Sequence, residues 1–133
     1  MSAVALVTGA TRGIGLACAE QLLQRGFTVV VNGLSVEDAD ANAARQRLEK
    51  YSEQVLFVAF DVADEAAHDI LLDEIENKVG PISCLVNNAG IGVIERGDPL
   101  DISVESYDRC QAVNARGLFF LSQAFGRRLR ERS

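Results

Sequence analysis

The stretch "LVTGATRGIGLA", residues 6–17, places three glycines directly after an apolar run and at the start of a helical pattern. Glycine lets the backbone turn sharply and approach a ligand closely, because it has no Cβ. The N-terminus of a helix presents unpaired N–H groups and a positive partial charge, which together suit a phosphate group. The spacing is GxxxGxG, so a plain turn after a strand stays open as the alternative interpretation.

The rest of the chain alternates short apolar runs with segments of helical period. Strands are predicted from the apolar runs at 3–7, 27–32, 54–60 and 82–87. Helices are predicted at about 13–25, 36–51, 64–79 and 103–130. Ser35 is the predicted N-cap of the second helix. Because the strands are nearly continuous apolar runs, we expect burial on both faces, and hence an α/β fold with a doubly wound parallel sheet.

Helical spacing also assigns an inward face to two of the helices. On the first helix, Ile14, Cys18 and Leu22 recur four residues apart. On the last helix an apolar stripe begins at Tyr107, and Asn114 falls on it. A polar amide on a buried face must find hydrogen-bond partners, so a satisfied core asparagine is the plain interpretation of Asn114.

Composition bounds the kinds of partner that the protein can have. The chain has 133 residues, 48% of them hydrophobic, and a net charge of −6. These values favour one globular domain over 1–133, without a second domain, and argue against nucleic acid or an anionic membrane as a partner. The basic stretch at 126–133 is interpreted as the solvated end of a helix. Neither a signal peptide nor a membrane-spanning apolar run is visible, so the cytoplasm is the expected location.

The cysteines and the single histidine give no sign of a metal site. Cys18, Cys84 and Cys110 are widely spaced and form no CxxC motif, which is typical of reduced thiols. No zinc-ligand spacing occurs, and no metal is predicted. His68 lies in the polar stretch "DEAAHDI" and is predicted to be a surface residue.

Four motifs occur together in this chain: "TGATRGIG" (8–15), "DV" (61–62), "NNAG" (87–90) and "VN" (113–114). In this order and spacing they resemble the short-chain dehydrogenase/reductase family, and the chain is similar to the N-terminal half of such a protein. The wording of the segments most resembles the 3-oxoacyl-(acyl carrier protein) reductases. The resemblance implies a Rossmann-like dinucleotide-binding domain that is truncated after the fourth strand and the fourth helix.

The resemblance implies a nicotinamide dinucleotide as the cofactor. Its adenosine ribose and pyrophosphate would be surrounded by Gly9, Thr11, Arg12, Gly13, Ile14 and Gly15. Asp61 and Val62 would border the adenine, with Asp61 accepting from the amino group; a helix-capping aspartate is the alternative. The nicotinamide ribose side would be lined by Asn87, Ala89 and Gly90. Asn88 would instead tie strands together.

The phosphorylated form of the cofactor, NADP(H), is favoured over NAD(H). An acidic residue at the end of the second strand would bind both ribose hydroxyls and repel a 2′-phosphate, but Gly33 stands there. Arg12 can pair with a 2′-phosphate, since guanidinium–phosphate pairs are strong and directional. Asn32 and Ser35 would add neutral donors. A surface charge on a loop is the alternative role of Arg12.

By the same resemblance, Asn114 matches the family's active-site asparagine, which holds a water through its backbone carbonyl and helps to pass protons to the catalytic lysine. The family's catalytic Ser and Tyr-x-x-x-Lys do not occur in this chain. Tyr51 and Tyr107 are followed four positions later by Val55 and Gln111. The chain is therefore expected to carry only the cofactor-binding part.

The function implied is that of an NADP(H)-dependent oxidoreductase, which reduces a carbonyl to an alcohol. A 3-oxoacyl thioester, as in fatty acid biosynthesis, is the favoured substrate. The alternative is a non-catalytic dinucleotide-binding or redox-sensing module, which this chain by itself also fits. Family members pair through their long helices, so a homodimer or homotetramer is expected.

Overall fold

Four strands pair in parallel to form one sheet. The computed structural model describes residues 2–91 and 96–133, and its strands are β1 (Val4–Val7), β2 (Thr28–Gly33), β3 (Val55–Ala59) and β4 (Ile82–Val86). Their order in the sheet is β3-β2-β1-β4. The chain therefore moves outward from β1 to β3 and then returns past β1 to add β4 on the other side. The predicted Rossmann-like α/β fold is confirmed.

Helices connect and follow the strands. They are α1 (Gly13–Gln24), α2 (Ala39–Arg47), α3 (His68–Val79), α4 (Val104–Gln111) and α5 (Leu118–Arg132). A π-helical turn, Ala112–Gly117, joins α4 to α5, so the long helix predicted over 103–130 is present but interrupted. Short 3₁₀ turns occupy Glu49–Gln54, Glu65–Ala67 and Pro99–Asp101. Among the described residues, no helix has the length and apolarity needed to cross a bilayer.

The sheet separates two hydrophobic cores, because successive side chains of a strand point to opposite faces. Leu6 and Val30 pack on one face with buried residues of α3 and α5, namely Leu72, Ile75, Leu121 and Ala124. Val7 and Val31 pack on the other face with buried residues of α1 and α2, namely Leu16, Ala19, Leu23 and Ala44. The central strands β1 and β2 are almost completely buried. The edge strands β3 and β4 are only partly covered, so the predicted two-sided burial holds for the central pair alone.

The second helix begins later than the sequence predicts. Asp38, not Ser35, is its N-cap, and the Asp38 carboxylate accepts a hydrogen bond of 2.9 Å from the backbone N–H of Ala41. Ser35 Oγ instead accepts from the N–H of Glu37 at 3.1 Å and closes a local turn. Both residue types are good caps, but a carboxylate is also stabilised by the positive charge at a helix N-terminus.

The inward face of α1 differs from the predicted one. Ile14 is 76% exposed, whereas Leu16, Ala19 and Leu23 are buried against the sheet. These three residues follow the i, i+3, i+7 spacing of a helix face. The predicted residues Ile14, Cys18 and Leu22 therefore lie at the edge of the buried face and not at its centre. On the last helix, Tyr107 is likewise exposed.

The prediction that His68 is a surface residue is wrong. Its side chain is 2% exposed, and its Nε2 lies 2.8 Å from the carbonyl oxygen of Val62. No described residue is a hydrogen-bond partner of Nδ1. The polar sequence around His68 suggests a solvated helix. However, α3 begins at His68, and the His68 side chain packs beneath the segment that follows β3.

Glu76 joins three elements near the other end of α3. Its Oε2 accepts from the N–H of Ile82 at 2.7 Å, its Oε1 accepts from Arg128 at 2.8 Å, and Arg132 also pairs with it. Burial of the carboxylate, whose side chain is 12% exposed, raises its pKa. The Ile82 N–H and the two arginines lower it more, so the net pKa of Glu76 lies below its ordinary value of 4.5.

Replacement of Glu76 with glutamine should destabilise the protein by about 1–3 kcal/mol at pH 7, because Arg128 and Arg132 lose the least exposed of their charged partners, although Arg128 keeps its ion pair with Asp73 at 2.8 Å. A lowered pKa contributes stability above the unfolded value of 4.5, and that contribution is lost as the pH falls through the folded pKa. The difference in free energy of unfolding between wild type and Glu76→Gln should therefore shrink below about pH 4.5. Denaturant titrations at several pH values measure it.

Glu74→Gln is the matched control, since Glu74 is exposed on the same helix. It should change stability little at either pH. A difference between wild type and Glu76→Gln that stays constant down to pH 3.5 would contradict the interpretation.

Gly117 allows α5 to lie against the segment after β3. A Cβ at this position would lie 2.6 Å from the Val62 carbonyl oxygen and 2.9 Å from that of Ala112. Gly117→Ala should therefore cost about 1–3 kcal/mol of stability through overpacking. Gly126→Ala, on α5 with open space around it, should instead stabilise by about 0.5–1 kcal/mol. Equal unfolding midpoints for the two variants would show that the close approach at Gly117 is unimportant.

Candidate functional site

A cleft of about 550 Å³ opens at the carboxyl ends of the strands. It lies where β1 has β2 on one side and β4 on the other, which is the point where the strand order reverses. Open α/β sheets bind ligands at this position. The predicted site residues that line the cleft are Gly9, Thr11, Arg12, Gly13, Ile14, Asn32, Asp61, Val62, Ala89 and Gly90.

The loop between β1 and α1 requires glycine at two positions. Gly9 and Gly13 have φ angles of +60° and +59°, which side chains with a Cβ rarely adopt. A Cβ on Gly9 would also lie 2.9 Å from the Cα of Ala89. Both backbone polar groups of Gly9 are held: its N–H donates to Asn32 Oδ1 at 3.1 Å, and its carbonyl accepts from Asn88 Nδ2 at 2.9 Å.

The first turn of α1 faces the cleft with its backbone amides. Arg12 is the N-cap residue, and no described side chain makes a capping hydrogen bond there. Arginine has no acceptor atom, so the first N–H groups of the helix stay available to an anionic ligand. Gly15 lies behind this turn, where a Cβ would lie 2.4 Å from Asn88 Nδ2 and 2.6 Å from the Gly9 carbonyl oxygen. Its role is therefore close packing of the helix on the loop.

Thr8 also contributes to the site, although it was not predicted from the sequence. Its buried hydroxyl accepts from the backbone N–H groups of Asn88 and Ala89 at 3.0 and 2.9 Å. These bonds join the end of β1 to the segment after β4. A polar residue directly at the end of a buried strand was the available signal. Asn88 itself ties the two segments together, as predicted.

Asn32 is buried in the cleft wall, and its polar atoms are already used. Its Oδ1 accepts from Gly9, and its Nδ2 lies 3.0–3.3 Å from the carbonyl oxygens of Gly33, Val58 and Phe60. The expectation that Asn32 adds a neutral donor for the ligand is therefore wrong, because both donor hydrogens are directed at backbone carbonyls. Asn32 instead positions the glycine loop.

Asp61 and Arg109 form an ion pair inside the cleft. Arg109 Nη1 donates to Asp61 Oδ2 at 2.9 Å, and Asp61 Oδ1 accepts from the N–H of Ala63 at 3.0 Å. Both charged side chains line the cleft beside Val62. Asp61 closes a local turn, so the helix-capping alternative does not describe it. Arg109 was not predicted as a site residue, because its partner lies 48 positions away in the sequence.

Two asparagines occupy places that differ from the expected ones. Asn87 donates from Nδ2 to Ser122 Oγ at 2.9 Å and is turned toward α5, so it does not line the cleft. Asn114 makes two bonds of 2.8 Å to the backbone of Ile91, accepting from its N–H and donating to its carbonyl. Asn114 is exposed, which corrects the predicted burial, because the π-helical turn displaces it from the apolar stripe.

The far side of the cleft, at the end of β2, carries charges of both signs. The Arg12 side chain is 82% exposed, and its Nε lies 4.0 Å from Asp40 Oδ2. Asp38 and Asp40, at the start of α2, also line the cleft. Gly33 has no room for a side chain, since a Cβ there would lie 2.7 Å from Thr11 Cγ2.

A strand, a glycine loop and a helix N-terminus at the switch point of a parallel sheet define a nucleotide-binding α/β protein. Comparison with known proteins identifies the family. The sequence model for the short chain dehydrogenases matches residues 3–133. The chain belongs to the short-chain dehydrogenase/reductase family, whose members are oxidoreductases with nicotinamide cofactors.

Individual relatives agree with this assignment. The chain is 36% identical over 131 residues to L-2,3-butanediol dehydrogenase of Corynebacterium glutamicum. The aligned region covers 98% of this chain and 50% of that protein. A 3-oxoacyl-[acyl-carrier protein] reductase from Brucella melitensis in complex with NAD is 36% identical, with a TM-score of 0.85 over 97% of this chain and 49% of that chain. A gluconate 5-dehydrogenase from Burkholderia cenocepacia in complex with NADP and tartrate is 35% identical, with a TM-score of 0.81. The match covers 99% of this chain and 51% of that chain. The chain spans about half the length of the curated relatives it matches.

Proposed function

We propose that the whole protein is an NADP(H)-dependent oxidoreductase that reduces a carbonyl to an alcohol. A 3-oxoacyl thioester is the proposed substrate, which the similarity to a 3-oxoacyl-[acyl-carrier protein] reductase supports. One observation carries the proposal: the uncapped start of α1 and the glycine loop open into a cleft at the switch point of the sheet. That arrangement suits a pyrophosphate.

The cleft offers a place for each part of a dinucleotide. The amides at Gly13 and Ile14 suit the pyrophosphate, and the carboxylate of Asp61 beside Val62 suits the adenine. Ala89 and Gly90 would line the nicotinamide ribose. Asn87 would reach it only if its bond to Ser122 opened. When bound, the cofactor supplies the hydride that adds to the carbonyl carbon.

The preference for NADP(H) is supported by the end of β2. The tight contact between Gly33 and Thr11 leaves no space for an acidic side chain that would bind the ribose hydroxyls. Arg12 is exposed at the same place, and its contact with Asp40 is long enough, at 4.0 Å, to be exchanged for a phosphate. Asp40 opposes this preference by like-charge repulsion.

Arg12→Ala in the whole protein should weaken NADPH binding at least about tenfold and leave NADH binding nearly unchanged, because only NADPH carries the 2′-phosphate. Asp40→Asn should increase the preference for NADPH. Titrations followed by nicotinamide fluorescence measure both affinities. Arg25→Ala, an exposed arginine at the other end of α1, is the control. Equal affinity of the wild type for NADPH and NADH would exclude the assigned role of Arg12.

Asn114 is the proposed catalytic residue of this chain. Its two bonds hold the backbone of Ile91, which lines the cleft. The π-helical turn around it shifts the helical hydrogen-bond ladder, which can release a backbone carbonyl for a water molecule. This arrangement supports the family's role for the residue, in which that water passes a proton toward the catalytic lysine.

Asn114→Ala should lower kcat for NADPH-dependent reduction of a 3-oxoacyl thioester by about tenfold or more, with a smaller change in the Kd for NADPH. Gln123→Ala, exposed on the same long helix, is the control. A wild-type protein that binds NADPH but reduces no carbonyl substrate would favour the alternative of a non-catalytic binding module. A kcat unchanged by Asn114→Ala would remove that residue from the mechanism.

We also propose that the protein acts in the cytoplasm as a homodimer or homotetramer, without nucleic acid or membrane partners. The exposed aromatic side chains of Phe119 and Phe120 on α5 support self-association through the long helix. Sedimentation of the whole protein measures the assembly.

A further inference from the structure

The ion pair between Asp61 and Arg109 has a position that the fold alone does not require. Its side chains are 37% and 34% exposed, so neither belongs to a hydrophobic core. Both lie in the wall of the cleft, and the pair connects the end of the β3 segment to α4. A partly exposed ion pair contributes only modestly to stability, so a role in ligand binding explains its place in the cleft better.

The acceptor capacity of Asp61 is only partly used. A carboxylate offers about four lone-pair positions. One on Oδ1 is used by the Ala63 N–H and one on Oδ2 is used by Arg109. The two bonds reach different oxygens of the same group, so they fix the plane of the carboxylate as well as its position. The remaining lone pairs can accept from a ligand.

The surroundings of this carboxylate suit a flat aromatic base. Val62, Ile91 and Val113 line the cleft together with Asp61 and bring apolar side chains to it. Val62 is held in place by the bond from His68 to its carbonyl and by the close approach of Gly117. A base inserted here would meet apolar surface on its faces and an oriented carboxylate at one edge.

We propose that Arg109 is a positioning residue that fixes the Asp61 carboxylate so that it selects a purine with a 6-amino group. The inference rests on the proposed dinucleotide function and deepens it, because it assigns base selectivity to an arginine on α4. An amino group donates to the carboxylate, whereas the 6-oxo group of hypoxanthine would place two acceptors against each other. Discrimination is strong when a mismatched ligand leaves a fixed polar group unpaired.

Loss of Arg109 should act on selectivity more than on affinity for every ligand. Without the bond to Oδ2, only the Ala63 N–H holds Asp61, and the carboxylate can rotate away from the base. The amino group then loses a well-aligned acceptor, and the 6-oxo group loses part of its repulsion. The two effects bring the affinities for adenine and hypoxanthine forms closer together.

The test compares NADPH with its deaminated form, reduced nicotinamide hypoxanthine dinucleotide phosphate, in fluorescence titrations of the whole protein. The wild type should prefer the adenine form by about tenfold or more, since a hydrogen bond to a charged group is replaced by repulsion. Arg109→Met should reduce this ratio to about threefold or less, because the affinity for the adenine form falls while that for the hypoxanthine form is unchanged or rises. Arg109→Lys keeps the charge and should restore part of the ratio.

Two further variants make the outcome specific. Arg116→Met removes another arginine, from the π-helical turn that follows α4. Arg116 pairs with Glu65 at 3.3 Å outside the cleft, so this variant should leave the ratio unchanged. Asp61→Ala removes the acceptor but keeps the arginine donors, so the preference should disappear or turn toward the 6-oxo base.

The results separate this inference from the function on which it rests. A wild type that binds neither form would overturn the proposed function and the inference with it. A wild type that binds NADPH, with a ratio that Arg109→Met does not change, would overturn the inference alone. Equal losses of affinity for both forms in Arg109→Met would also overturn it, because Arg109 would then contact the cofactor or merely support the fold.

Discussion

The backbone of Gly9 is the point on which the cleft depends. Where the chain leaves β1, this residue turns out of the sheet and cannot join a strand ladder, so its N–H and its carbonyl both need other partners. Side chains from the neighbouring segments supply them: Asn32 accepts from the N–H, and Asn88 donates to the carbonyl. Because one asparagine lies near the end of β2 and the other follows β4, the loop is fixed from both sides. The amides at the start of α1 are held in the cleft as a result.

Two glycines, Gly15 and Gly117, allow close packing around the site because they have no side chains. Gly15 lets α1 begin against Asn88, and Gly117 lets α5 begin against the carbonyl of Val62. The same carbonyl accepts the bond from buried His68. At these two places a helix therefore approaches a neighbouring segment more closely than a side chain would allow. Backbone positions shift less than exposed side chains, which suits a site that must hold an extended cofactor in one orientation.

The parts of this structure that local signals determine could be predicted from the sequence. The glycine loop follows from residue types, and the end of α1 follows from Gly26, whose N–H bonds to the Leu23 carbonyl. The role of Asn32, the burial of His68 and the pairing of Arg109 depend on contacts between distant segments. A buried asparagine that completes a loop and one that offers donors to a ligand have the same local sequence. Only the positions of Gly9, Val58 and Phe60 around it distinguish the two.

The charges of the cleft explain how an acidic chain can hold an anionic ligand. The chain carries a net charge of −6, and the charged side chains that line the cleft include Asp38, Asp40 and Asp61 as well as Arg12 and Arg109. Each arginine is placed beside an aspartate, so the cleft has no strong positive field to attract a phosphate from a distance. Attraction must therefore come from short-range donors, above all the amides at the start of α1, which lose less strength in salt than exposed charges do. In such a site the arginines contribute selectivity rather than general affinity. Arg12 can exchange its contact with Asp40 for a phosphate, and Arg109 can orient the carboxylate of Asp61.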